Sequence, residues 1–75
     1  MYCKSYTSIN KADANGKIKI SASLVSSSTP ETFPLTGEGI TNLNENHQLE
    51  PGTTIYVVDS SDLYMMNEEY EYVLQ

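Results

Sequence analysis

The last 22 residues, "TIYVVDSSDLYMMNEEYEYVLQ", carry twelve large apolar or tyrosine side chains, and they do so at strand spacing. "TTIYVV", "LYMM" and "YEYVLQ" read as three short strands, joined by Asp59-Ser60-Ser61-Asp62 and by Asn67-Glu68-Glu69. A three-stranded antiparallel meander over 54–75 is the predicted result. With Ser60-Ser61 at the first turn, Val57 pairs with Tyr64, Tyr56 with Met65 and Ile55 with Met66. With Glu68-Glu69 at the second, Met65 pairs with Tyr72 and Leu63 with Leu74. One face then collects Tyr56, Val58, Leu63, Met65, Tyr70, Tyr72 and Leu74, and the other Ile55, Val57, Tyr64, Met66 and Val73. A half-exposed antiparallel sheet has one apolar face and one polar face. Here both are apolar. A one-residue slip in the second turn moves Tyr70, Tyr72 and Leu74 across and leaves both faces apolar still.

Residues 1–25 read as a β-hairpin. "KIKISASLV" alternates, with Ile18, Ile20, Ala22 and Leu24 on one side and Lys17 and Lys19 on the wet one. Asn15-Gly16 is a strong hairpin signal, because a type I′ turn needs positive φ at both central residues. Residues 26–53 read as an irregular connection. "SSSTPETFP" cannot sustain a helix or a central strand, and Pro34 stops the first turn that a Ser28/Glu31 capping box would begin. Ile40 and Leu43 have the spacing of one helical turn packed under the sheet. The predicted class is all-β, one small domain over 1–75, with an N-terminal hairpin, an irregular middle segment and a C-terminal meander arranged as a small sandwich or open barrel. The hairpin is expected to cover one face of the meander and the other face to stay open, which marks an association surface.

So short a chain buries only about 60% of the surface its unfolded form exposes. Val, Ile, Leu and Phe number 16 of 75, so the core is thin. Domains of this size commonly gain stability from disulfides, a metal or oligomerisation. Cys3 is the only cysteine and His47 the only histidine, so neither an internal disulfide nor a zinc site is expected. Oligomerisation remains.

Charge is unevenly spread. The four basic residues, Lys4, Lys11, Lys17 and Lys19, fall in the first 19 positions with one acid, Asp13, for a segment charge of +3. From Ile20 onward there are nine carboxylates and no base, for −9. Such a body is repelled by phosphate backbones, so no nucleic-acid partner is expected. No apolar run approaches the ~20 residues that span a bilayer, and "MYCKSYTSIN" has no apolar signal region. No membrane partner is expected, and the product is expected inside the cell unless a particle carries it.

Chemistry is sparse. "DANGKI" places Asp13, Asn15, Gly16 and Ile18 at four positions of an EF-hand loop, but Lys11 and Ala22 stand where the first and last ligands belong, so the hairpin turn is the better reading. Asp59 and Asp62 flank a tight turn, where solvent rather than a water-excluding cleft is expected. Cys3 and His47 are the one possible nucleophile pair. "TGEG" lacks the Lys of a phosphate loop and carries Glu38 where an anion would sit. No enzyme activity, cofactor, metal or small-molecule substrate is expected. Tyr2 and Tyr6 suit an exposed strand or an interface equally. Tyr56, Tyr64, Met65, Met66 and Tyr72 are the expected interface residues.

"PLTGEGI", Leu49 ahead of "PGTTIYVVD", "DLYMMNEE" and the closing "YEYVL" together resemble small proteins encoded among the structural genes of tailed bacteriophages and prophages. The resemblance covers a little over half the chain. It implies a virion or assembly component, assembled in the bacterial cytoplasm and attached to the capsid or its fibres. The expected partners are copies of itself or other virion proteins, with a head-to-tail contact between the +3 and −9 segments that weakens with salt. A different class of function is also open: a small acidic inhibitor that mimics nucleic acid and blocks a host enzyme.

Overall fold

A computed structural model describes residues 1–9 and 16–75. Strand β2, Ile18–Ser26, organises it. Its alternation sets Ile20, Ala22, Leu24 and Ser26 into the interior and leaves Lys19, Ser21, Ser23 and Val25 half-buried on the other side. Strand β1, Tyr2–Ser8, pairs with it antiparallel, with an irregularity at Lys4. The hairpin is thus present, but in its own register. A two-residue turn at Asn15-Gly16 would set Ser8 opposite Ser23 and Cys3 opposite Ser28, beyond the strand. Instead Ser8 faces Ile20 and Cys3 faces Leu24, which buries Cys3 beside the core. The ladder closes with the Ile9 N–H donating to the Lys19 carbonyl at 3.0 Å. Gly16 has the positive φ expected of it, 79°; Asn15 and Asp13, and with them the turn and the EF-hand-like positions, lie outside the described residues.

The second edge of β2 takes two strands end to end. β3, His47–Leu49, lies parallel to Ile18–Ile20, and β4, Thr54–Val57, lies parallel to Ser23–Ser26. β5, Asp62–Met66, and β6, Tyr72–Leu74, follow antiparallel. The result is one mixed, open sheet of six strands, and among the described residues there is no helix. The expected arrangement is a small sandwich or open barrel with the hairpin over the meander; the sheet is single and not closed into a barrel, and because β2 pairs directly with β3 and β4, the hairpin lies beside the C-terminal strands and not on top of them.

Between β3 and β4 the chain leaves the edge of β2, and one side chain fills the gap. Thr53 is fully buried, and its Oγ1 accepts the Ala22 N–H at 3.2 Å. The Glu50 N–H donates to the Ile20 carbonyl at 2.9 Å. A threonine hydroxyl thus completes a backbone ladder, and removing it would strand a buried donor at a cost of about 1–3 kcal/mol.

The core is Ile20, Ala22, Leu24, Leu49, Ile55, Val57, Met66, Cys3 and Ile40. Its cover is the middle segment, with Phe33 and Leu43 packed against it. Ile40 and Leu43 do sit under the sheet, in two successive turns rather than a helical one: the Ile40 N–H donates to the Gly37 carbonyl and the Leu43 N–H to the Ile40 carbonyl, both at 3.0 Å. Gly37 permits this fold-back, since a Cβ there would lie 2.6 Å from the Asn44 carbonyl oxygen and from the Leu43 Cβ. The segment also closes an edge, with the Leu49 N–H reaching the Leu35 carbonyl and the Gly37 N–H the His47 carbonyl.

Candidate association surface

Register decides which side chains share each face of the C-terminal strands. Val57 faces Asp62 and Ile55 faces Tyr64, two residues from the expected pairing. An even shift exchanges nothing between faces. At the second turn Met66 faces Tyr72 and Tyr64 faces Leu74, a one-residue slip from expectation. Its cause is local: the Asn67 side chain accepts the N–H groups of Glu69 and Glu71 at 2.9 and 3.0 Å, and Tyr70 takes φ 63°, making a three-residue connection in place of two. Tyr72 and Leu74 therefore join the covered side, and Val73 the open one.

The open side has two adjacent rows across the strands. The first runs Tyr2, Val25, Tyr56, Leu63, and the second Ser5, Ser23, Thr54, Met65, Val73. Tyr56, Leu63, Met65 and Val73 keep 38–46% of their surface in water. They are neighbours on three adjoining strands, with exposed Val58 continuing the patch. No segment of the described chain crosses them.

Of the five residues expected at an interface, Tyr56 and Met65 lie on this open face. Met66 is 2% exposed and belongs to the core. Tyr64 and Tyr72 are half-buried on the covered side, their rings 5.1 and 5.3 Å from that of Phe33. The Tyr72 hydroxyl donates to the Pro34 carbonyl at 2.9 Å. Leu63 and Val73 complete the patch; Val73 was out of reach of sequence reasoning because its side depends on the Asn67 turn.

Burial raises the Tyr72 hydroxyl well above the ordinary tyrosine value. Tyr70 is raised too, first by its hydrogen bond to Glu50, then by burial and by the charge of that carboxylate. Burial also raises the Cys3 thiol. A group whose folded pKa is raised lends stability that is complete below its unfolded pKa and lost as pH rises through the folded one. The melting temperature is therefore expected to begin falling near pH 9, the ordinary value of Cys3, and to fall faster above about 10, the ordinary value of tyrosine. Tyr72→Phe should lower the neutral-pH midpoint slightly, through loss of the Pro34 hydrogen bond, and flatten the alkaline fall. An equally steep fall in that variant contradicts the assignment.

Cys3 and His47 do not meet. Cys3 faces Leu24 near one end of β2 and His47 faces Ile18 at the other. The His47 Nδ1 accepts the Asn44 N–H at 3.1 Å, and its ring stands edge-on to Tyr6. Asp59 is exposed and Asp62 half-buried at the start of β5. Sequence reasoning missed Glu50, a buried carboxylate that accepts from the Tyr70 hydroxyl at 3.0 Å and the Gln48 side chain at 3.1 Å. It ties the second turn to the exit of β3. Among the described residues no group of three or more His, Cys, Asp or Glu could hold a metal, and no helix is long and apolar enough to cross a membrane.

Comparison with protein-family models, with curated proteins and with solved structures finds no match to this chain.

Proposed function

We propose that this chain is a non-enzymatic structural or assembly protein of a bacteriophage or prophage particle, associated with the capsid or its fibres and acting through sheet-mediated contacts with its own copies or with other virion proteins. The observation that carries the association is the open patch of Tyr56, Leu63, Met65 and Val73 on a sheet whose other side is already covered. Grouped exposed apolar side chains of this kind are typical of contact surfaces. Tyrosine and methionine are among the residues enriched there. The place in a particle rests on the resemblance of "PLTGEGI", "PGTTIYVVD" and "DLYMMNEE" to phage structural-gene products.

The acidic-mimic reading has less support. A mimic needs carboxylates in a regular surface array, whereas Asp59 and Asp62 sit at one end of β5, Glu68, Glu69 and Glu71 beyond the other, and Glu50 is buried.

Light scattering at tens of micromolar, together with mass spectrometry of purified particles, tests the proposal. A mass above that of one chain, or recovery of the chain with the particles, is the expected result. A single chain at all concentrations that also fails to sediment with particles contradicts it. Capture of a host nuclease or polymerase instead would transfer the case to mimicry.

A further inference from the structure

The sheet has two outer strands, and their edges are unlike. β1 is covered only at its first residues, where the Cys3 N–H donates to the Thr41 carbonyl at 2.9 Å and the Asn42 side chain donates to the Cys3 carbonyl at 3.1 Å. Past Cys3 it has no neighbour on its outer side among the described residues, and β6 has none along its length. The ladders show which groups point outward. The Gln75 N–H bonds to the Leu63 carbonyl and the Asn67 N–H to the Glu71 carbonyl, so alternation aims the N–H and C=O of Tyr72 and Leu74 away from β5. The Ile9 N–H bonds to the Lys19 carbonyl, so Tyr6 and Ser8 are the residues of β1 that point away from β2. Each edge offers two residues with the same spacing.

We propose that copies of this chain join head to tail, the β6 edge of one pairing antiparallel with the β1 edge of the next, Tyr72 opposite Ser8 and Leu74 opposite Tyr6. The partner, a second copy, rests on the association reading above; the geometry rests on the strand edges. Strand direction permits it. β1 opposes β2, β2 runs with β4, β4 opposes β5 and β5 opposes β6, so β1 and β6 of one molecule are antiparallel. Placing a second molecule alongside in the same orientation then sets β6 antiparallel to the next β1, with covered sides on the same side. Leu74 and Tyr6, 53% and 47% exposed on that side, become cross-strand neighbours and shield each other.

Charge points the same way. Glu68, Glu69 and Glu71 lie just before β6. With Tyr72 opposite Ser8, that acidic turn abuts the end of the next hairpin, where Ile9 meets Lys19. Opposite charges across a contact speed encounter and set register. The contact is heterologous, so it leaves one edge free at each end and propagates into a ring or a filament.

Sedimentation velocity on the full chain tests this with two blocking variants. Leu74→Pro and Ser8→Pro each remove an outward N–H that makes no internal ladder bond; circular dichroism checks that both fold. Leu74→Lys and Tyr6→Lys, which place a charge on each edge, serve as second variants read the same way. Wild type should gain mass with concentration at low salt, and its association constant should fall at least ~10-fold at about 1 M salt, where the screening length is ~3 Å. Each blocked variant alone should stay a single chain. An equimolar mixture of the two, one with a free β1 edge and the other with a free β6 edge, should form a species of two chains and no more. Wild type that grows while the blocked variants grow equally overturns the edge contact and leaves the open-face association standing. A mixture that stays at single chains overturns it as well. Wild type that stays a single chain and binds no particle overturns both.

Discussion

Leu24→Ala is expected to destabilise the protein by about 2–5 kcal/mol, whereas the same substitution at Leu63 is expected to cost less than about 1 kcal/mol. Leu24 is fully buried in β2, with Cys3 opposite it on one neighbouring strand and Ile55 on the other. Removing its side chain takes three carbons from the centre of the row and leaves a cavity that two flanking strands hold open. A domain of 75 residues has roughly 4–11 kcal/mol of stability in total. The variant loses a large share of it, and its melting midpoint should fall by at least ~8 °C. Leu63 sits on the open side with 38% of its surface already in water. Thermal unfolding of the two variants side by side measures the contrast, and equal losses contradict the assignment of faces.

The second large effect is on association. Tyr56→Lys combined with Met65→Lys should leave the melting temperature close to that of wild type, because both side chains face solvent in the single chain. It should lower retention on particles by at least ~100-fold, while growth through the β1 and β6 edges, which neither residue touches, should continue. An interface that buries two unpaired ammonium groups would lose more than about 3 kcal/mol, through both desolvation and lost apolar contact. Co-sedimentation with particles reads this directly. Unchanged retention on particles would place that contact elsewhere on the molecule, and a collapsed melting temperature would show that the two residues serve the fold.

Much of this arrangement is legible in the residues. The alternation of Ile18, Ile20, Ala22 and Leu24 predicts the covered side of β2. The three C-terminal strands appear close to their predicted spans, and the first of their turns keeps the predicted faces because its shift is even. What escapes is long-range pairing. Nothing local in "HQL" marks a three-residue strand parallel to β2, since its apolar partners are Ile18 and Ile20, almost thirty residues earlier. The same limit hid the cover: "FPLTGEGITNL" looks too polar to shield a sheet, yet Phe33, Ile40 and Leu43 suffice once Gly37 lets the backbone double back. Of the five expected interface residues, Tyr56 and Met65 share the open side, as alternation along β4 and β5 predicts. Tyr72 changed sides through one asparagine side chain, a bond that spacing does not reveal. Met66 and Tyr64 lie on the face that the middle segment covers.

Met65 and Met66 provide the most direct test, since they are adjacent in sequence and on opposite sides of β5. Met65 is 38% exposed and Met66 2%. Peroxide oxidation of dilute protein, followed by peptide mapping, should convert Met65 to its sulfoxide well before Met66, and docking on particles should slow the reaction at Met65 and not at Met66. Equal rates at the two sulfurs, or faster reaction at Met66, would contradict a sheet with one side covered by its own chain and the other open to a partner.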